Sequence, residues 1–352
     1  MQLSEFDYHL PEELIAQEAL ADRAASRMLV VYRDQGRWED REFRDFPAFL
    51  APGDCLVLND SRVFPARLYG HRAGVASLPI GRNNPKRREY LSGRVEVFLL
   101  RPVSADGRDW QALVRPGRKM RTGERIGFEG GLISEIVARG EFGERTIRFH
   151  GADADDLYAA FDRIGHVPLP PYIKRPDSAA DRDRYQTVFA RERGSVAAPT
   201  AGLHFTKGIL ARCSAAEIAW VTLHVGLGTF QPLHEDEVER AHLHSERYRI
   251  APESAARIAA ARRVVAAGTT SVRTIETAAR SGALEGETDI FLYPGVPFLR
   301  TGAMLTNFHL PRTSLLLLVC AFAGKDLTLA AYRHAVESRY RFYSYGDCML
   351  IV

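Results

Sequence analysis

Residues 253–279 read ESAARIAAARRVVAAGTTSVRTIETAA, and this stretch decides the fold class. Glu253 to Arg262 follows Pro252, a residue suited to the first turn of a helix, and carries Ile258 among alanines at helical spacing. Arg263 to Ala267 is a short apolar run entering the turn Gly268-Thr269-Thr270-Ser271, which reads as a strand. Val272 to Ala279 returns to helical spacing. Helix, strand, glycine turn and helix in direct succession are the alternation of an α/β layer with buried strands. Outward from this block the pattern repeats. Met28 to Tyr32, Asp54 to Leu58 (DCLVL), Glu217 to Val225 (EIAWVTLHV) and Asp289 to Tyr293, stopped by Pro294-Gly295, read as strands. A further strand ends at Thr306-Asn307 and feeds the apolar helix LLLLVCAF (315–322). Glu12 to Ile15, behind Pro11, reads as a short helix, and Lys207 to Arg212 as another.

Between Arg62 and His150 the pattern changes. VEVFLL (95–100), WQALV (110–114), ERIGF (124–128), LISEIV (132–137) and RTIRF (145–149) are short β-rich runs separated by Gly, Pro and charge, the spacing of a small antiparallel barrel. Residues 71–94 read as a long basic loop. A chain of 352 residues exceeds what one core usually supports. The expected architecture is therefore mixed α/β: a discontinuous layered α/β body of residues 1–61 and 151–352, with an inserted small antiparallel β-barrel domain at 62–150.

Hydrophobic residues at 46% and charged residues at 26% exclude disordered and collagen-like classes. The formal charge of +3 hides a division: residues 62–150 hold 18 Lys/Arg against 9 Asp/Glu, a balance of +9, and the rest of the chain is −6. A basic insert on an acidic body is either a solvated surface or a polyanion site. Cys55, Cys213, Cys320 and Cys348 form no C-x-x-C pair and read as reduced thiols rather than a zinc knuckle. The N-terminal stretch lacks the basic and apolar regions of a signal peptide. The longest apolar run, Leu315 to Phe322, is far short of the ~20 residues of a membrane span. A cytoplasmic protein without a metal is expected.

Several loops carry candidate chemistry. Residues 185–206 combine small residues, hydroxyls, a proline and His204 ahead of a helix, and read either as a ligand-binding loop or as a structural connection. His224-Val225-Gly226-Leu227-Gly228-Thr229-Phe230 follows a strand, where α/β sheets bind ligands. It lacks a third glycine, so it is no dinucleotide fingerprint. His242, His244 and Glu246 alternate, and on a strand would share one face as a metal site or as a hydrogen-bonded polar cluster. Gly268-Thr269-Thr270-Ser271, with Arg273 and Glu276 beyond it, forms an anion cradle or a plain helix cap. Asn307 and His309 stand at a strand end. The run Arg339 to Asp347 interleaves cations with aromatics, the composition of a base-stacking surface or of core.

Taken together, LNDSRVFPARL (58–68), GHVPLPPYIKR (165–175), RYQTVFA (184–190), GSVAAPTAGLHFT (194–206), VTLHVGLGTFQPL (221–233), GTTSVRTIE (268–276), TNFHLP (306–311) and YRFYSYGDCMLI (340–351) closely resemble the S-adenosylmethionine:tRNA ribosyltransferase-isomerases of queuosine biosynthesis. The resemblance runs from about Asp7 to Ile351. It implies transfer and isomerisation of the ribosyl part of S-adenosylmethionine onto the aminomethyl group of 7-aminomethyl-7-deazaguanine at the tRNA wobble position. The products would be epoxyqueuosine-tRNA, adenine and methionine. It also implies a monomer with S-adenosylmethionine as cosubstrate and no bound cofactor. Such chemistry needs a base for a C5′ proton acidified by the sulfonium, and an acid for the departing adenine. His204 or His224 is expected in those roles, with Glu246 and Asp347 as carboxylate partners. Asn59, Arg62, Thr200, Gly202, Gly226, Gly228, Thr229, Phe230, Thr269, Thr270, Arg273, Asn307 and His309 are expected to hold the cosubstrate. Arg67, Lys86, Arg87, Arg88, Arg118, Lys119, Tyr172, Lys174, Arg175, Tyr343 and Tyr345 are expected to meet tRNA. The competing classes are a non-catalytic tRNA-binding protein and an S-adenosylmethionine methyltransferase.

Overall fold

The alternating blocks of the body pair into a nine-stranded sheet in the order Glu285–Thr288, Glu246–Ile250, Glu217–Leu223, Asp54–Asn59, Arg263–Ala267, Thr301–Asn307, Cys348–Ile351, Arg27–Tyr32 and Arg37–Glu42. This is a computed structural model, and it describes residues 1–73, 93–117, 120–140, 143–151, 154–226, 233 and 235–352. The four central strands from Glu217–Leu223 to Thr301–Asn307 pair in parallel, and the strands at both edges run antiparallel. All six residues of Asp54–Asn59 are buried, which is why DCLVLN reads as a continuous apolar run rather than an alternation. Arg263–Ala267 sends Val264 and Ala266 to one core and Val265 and Ala267 to the other. Helices Thr269–Ser281 and Ser314–Ala323 cover the first face, supplying Val272, Ile275 and Leu316 to Val319. Phe43, Phe46, Phe205 and Ile209 cover the second. No single helix among the described residues is long and apolar enough to cross a membrane.

The expected strands at 28–32, 54–58 and 263–267 form, and the strand expected at 217–225 ends at Leu223. The strand expected at 289–293 does not form; the edge strand is Glu285–Thr288 instead. Leu292 is buried, and Ile290, Phe291 and Tyr293 pack half-buried on the first core, so their apolar character comes from covering that core rather than from a ladder. Residues 242–244 precede their strand, which starts at Glu246. His242 and His244 are therefore exposed and share no strand face with the buried Glu246. Among the described residues no His/Cys/Asp/Glu group is arranged to hold a metal. Helix Lys325–Glu337 and strand Cys348–Ile351 are additional elements.

The second unit comprises Val63–Leu169 and Asp177–Arg182, and the first comprises Met1–Arg62, Pro170–Pro176 and Asp183–Val352. Strands Glu144–His150, Asp109–Arg115, Arg94–Pro102, Arg67–Arg72, Arg125–Phe128 and Ile133–Arg139 close an antiparallel barrel. The expected boundary at 150 lies too early, because helix Ala154–Ile164 puts the buried Leu157 and Phe161 inward and seats Phe161 on Trp110 and Phe149 of the barrel. Gly70 allows close packing in the barrel: a Cβ there would lie 2.6 Å from the Gly127 carbonyl.

Candidate active site

Gly268 caps helix Thr269–Ser281 with φ +95°, a backbone state that only glycine enters without strain. The chain can therefore turn directly from strand Arg263–Ala267 into the helix, which begins at Thr269, earlier than its helical spacing indicated. Thr269 and Thr270 are thereby held at the carboxyl end of one parallel strand, beside Asn307 and His309 at the end of the next. Here lies a cavity of about 630 Å3, lined by those four residues together with Thr200, Tyr172 and Tyr343. That volume is within the ~300–1,000 Å3 typical of small-molecule sites. Ala198, Ala201, Val225, Phe308 and Leu310 supply an apolar wall, and no Asp or Glu lines the cavity among the described residues.

His309 is buried, and burial pushes its imidazole down to about 3, so the ring is neutral at physiological pH. Its Nε2 lies 2.7 Å from Thr306 Oγ1, whose hydroxyl donates to the Asn307 carbonyl at 3.3 Å. This assigns the ring proton to Nε2 and leaves the Nδ1 lone pair without a protein partner among the described residues. The His309 backbone N–H donates to the Tyr332 hydroxyl oxygen at 3.1 Å, and the Tyr8 hydroxyl donates to the His309 carbonyl. The residue is thus held at both ends of its peptide unit. Thr306, Tyr8 and Tyr332 had no signal as site residues, because a strand threonine and buried tyrosines read as ordinary core.

His204 has a different place. It does not line the cavity, but stands behind Asn307, whose Nδ2 meets His204 Nε2 at 3.1 Å. Asn307 Nδ2 also donates to the Tyr343 and Asp347 carbonyls, which fixes the amide orientation and leaves Oδ1 buried without a protein partner. His204 Nδ1 donates to Ser26 Oγ, which donates onward to the Arg23 carbonyl. Burial, with the Arg23 and Arg341 guanidiniums, pushes His204 down to about 3. His204 is thus neutral, off the cavity wall, and engaged at both ring nitrogens within the protein. His224 is also off the cavity wall, although its neighbour Val225 is on it. Its ring packs over Gly194, burial pushes it down to about 4, and its Nδ1 is buried without a protein partner.

Both expected carboxylate partners are engaged elsewhere. Glu246 Oε1 accepts the Gly226 N–H at 2.7 Å, and its Oε2 pairs with the buried Arg273. Arg273 is thereby paired with Glu246 and does not line the cavity. Asp347 accepts the backbone N–H groups of Arg27 and Arg341 at 2.9 and 2.8 Å, and burial raises its pKa. It joins two segments of the chain and does not reach the cavity. Glu276 accepts from the backbone of Leu299, Arg300 and Thr301 and from Arg280, a structural carboxylate rather than part of an anion cradle.

Of the remaining cosubstrate residues, Asn59 donates to the Leu223 carbonyl and to Thr270 Oγ1, so it orients Thr270 from behind. Gly202 is buried, and a Cβ there would press to 2.8 Å from Thr187. Arg62 is exposed and off the cavity wall. Gly228, Thr229 and Phe230 lie outside the described residues, as do Lys86, Arg87, Arg88, Arg118 and Lys119 of the expected tRNA set. Tyr345 is buried edge-on to Tyr185 and offers no stacking face. Tyr343, at φ +73°, is likewise buried, with its ring centroid 4.0 Å from that of Tyr172. Both rings line the cavity, and Tyr172 also borders a neighbouring depression. Lys174 is exposed and paired with Glu12, Arg175 donates to the Gln17 carbonyl, and Arg67 is half-buried beside Glu96.

An S-adenosylmethionine:tRNA ribosyltransferase-isomerase of Solibacter usitatus is 80% identical over the whole of both chains. The enzyme of that name from Symbiobacterium thermophilum is 49% identical, again over the full length of both. The crystal structure of an S-adenosylmethionine tRNA ribosyltransferase from Thermotoga maritima superposes with a TM-score of 0.54 at 36% identity, covering 99% of this chain and 100% of that one. With residues 3–351 matching the family described as queuosine biosynthesis protein, the chain belongs to that family.

Proposed function

We propose that this chain is an S-adenosylmethionine:tRNA ribosyltransferase-isomerase whose cosubstrate occupies the 630 Å3 cavity. The observation that carries the reading is the convergence of Thr269, Thr270, Asn307 and His309, from two family-like motifs far apart in sequence, on one cavity at the carboxyl ends of parallel strands. The reaction transfers and isomerises the ribosyl moiety onto the aminomethyl group of 7-aminomethyl-7-deazaguanine in tRNA, giving epoxyqueuosine-tRNA, adenine and methionine.

Among the described residues the cavity wall carries no carboxylate, and its one charged side chain, Arg312, is exposed. A sulfonium binds beside the Tyr172 and Tyr343 rings, whose faces attract cations without the salt-bridge partner the described wall lacks. Asn307 Oδ1 is a buried acceptor without a protein partner among the described residues. His309 Nδ1 takes the C5′ proton. The same burial that keeps His309 unprotonated makes it a weak base, so the electron withdrawal of the adjacent sulfonium supplies most of the acidity at C5′. His204, Asn59 and Glu246 act one layer out, by fixing Asn307, Thr270 and Gly226.

The test is chromatographic. Incubation with S-adenosylmethionine and tRNA carrying 7-aminomethyl-7-deazaguanine is expected to release adenine and methionine only when that tRNA is present. Release of S-adenosylhomocysteine would make the chain a methyltransferase, and no turnover at all would reduce it to a binding protein.

A further inference from the structure

Beside the cavity lies a second depression of about 740 Å3, lined by residues of the N-terminal segment from Asp7 to Gln17 and by Tyr172, Lys174, Leu310 and Pro311. Tyr172, Leu310 and Pro311 line both spaces, which therefore adjoin. The rim is exposed at Asp7, His9, Glu12 and Lys174, while Tyr8 is buried beneath and Leu10 and Ile15 are half-buried. Gln17 holds the shared border in place: its amide donates to the Tyr172 carbonyl at 3.0 Å and accepts the Lys174 N–H at 2.8 Å. Tyr172 is further held by its hydroxyl contact to Ser344 and by the Tyr343 ring. The two carboxylates differ. Glu12 is paired with Lys174, whereas Asp7 has no ion-pair partner among the described residues.

We infer that this depression is the acceptor subsite: it receives a flat nucleobase bearing a primary aminomethyl group, with the base against the Tyr172 ring and the ammonium on Asp7. The inference rests on the function proposed above and adds where the second substrate sits. A base lifted out of a tRNA loop is recognised by stacking on an aromatic face together with a polar contact at its edge, and the depression offers both. Its position also meets a requirement of the reaction. The ammonium must pass a proton to Asp7 and the free amine must then reach the ribosyl carbon of a cosubstrate in the adjoining cavity, and the two spaces meet at Tyr172, Leu310 and Pro311. The main cavity has no carboxylate in its described wall, so an ammonium finds its counter-ion on this side and the sulfonium finds aromatic faces on the other.

The experiment uses the full chain with S-adenosylmethionine and tRNA carrying 7-aminomethyl-7-deazaguanine, reading adenine release. D7N is expected to raise KM for the tRNA about tenfold, the scale of one charge-assisted hydrogen bond, and to leave KM for S-adenosylmethionine within about twofold. D7E, which keeps the charge, is expected to recover most of the loss. L10W, which narrows the depression from its half-buried side, is expected to raise the same constant without changing S-adenosylmethionine affinity by calorimetry. Retained tRNA KM in both D7N and L10W, or an equal rise in KM for S-adenosylmethionine, overturns the assignment. Failure of the wild-type chain to release adenine overturns the functional reading itself, so the two failures are distinguishable.

Discussion

Two buried imidazoles, His204 and His309, differ in what their second nitrogen meets. Both nitrogens of His204 are used within the protein, by Asn307 and Ser26, whereas His309 spends only Nε2, on Thr306. H309A is therefore expected to lower kcat for adenine release by about 10²–10⁴, the usual scale of a general base, with S-adenosylmethionine affinity by calorimetry changing much less. A kcat within threefold of wild type would remove His309 from the chemistry. Protonation adds a second expectation. His204 and His309 are pushed down to about 3 and His224 to about 4, from an ordinary value of 6.5, so the unfolded chain binds protons that the folded chain refuses. Their contribution to stability is complete above pH 6.5 and shrinks as pH falls from there toward 4, by about 1.4 kcal/mol per pH unit for each ring. Urea midpoints taken from pH 7 to pH 5 should fall steadily; a flat profile would mean the rings are protonated in the folded state. The position of Asn307 and His309 at a strand end was legible in sequence because polar residues there stand out against an apolar run. The Tyr8 hydroxyl that fixes the His309 carbonyl was not, since a contact across 301 residues leaves no local pattern.

The turn at Gly268 shows how an element makes a site. A Cβ there would meet Thr270 Oγ1 at 3.5 Å and Ala201 at 3.6 Å, ordinary contacts, so the obstacle to substitution is φ +95° and not space. G268A is expected to cost about 1–2 kcal/mol and to weaken S-adenosylmethionine binding, since relief of the strain moves Thr269 and Thr270. Thermal unfolding with and without ligand reads both effects, and an unchanged ligand-induced shift would separate the turn from the site. Strand Arg263–Ala267 and its turn were readable because a buried parallel strand is apolar on both faces and glycine punctuates it. The run from Asp289 to Tyr293 misled for the same reason in reverse: a loop that covers a core is as apolar as a strand. Cys348–Ile351 is only four residues long, and its aromatic-rich approach obscures it.

At the scale of the whole molecule, the division of charge into +9 and −6 separates the insert from the body. Reversing Lys86, Arg87, Arg88, Arg118 and Lys119 is expected to weaken tRNA affinity and flatten its dependence on salt, because each lost phosphate contact releases one fewer counterion. Filter binding from 50 to 300 mM salt, on the order of the range where such slopes are measured, decides this, and S-adenosylmethionine affinity serves as the control. An unaltered slope would return the excess charge to the solvated surface. The two-unit organisation was legible because an antiparallel barrel and a parallel layer differ in residue period. The exact division was not, because helix Ala154–Ile164 is amphipathic in a way that fits either partner, and only the aromatic cluster of Trp110, Phe149 and Phe161 assigns it to the barrel. The order of strands in the nine-stranded sheet also has a temporal side. Cys348–Ile351 lies between Thr301–Asn307 and Arg27–Tyr32, so one of the first strands to leave the ribosome waits, with its parallel edge open, for one of the last. The barrel strands all emerge in between, so the barrel can close during synthesis while the catalytic sheet stays divided until translation has passed residue 351.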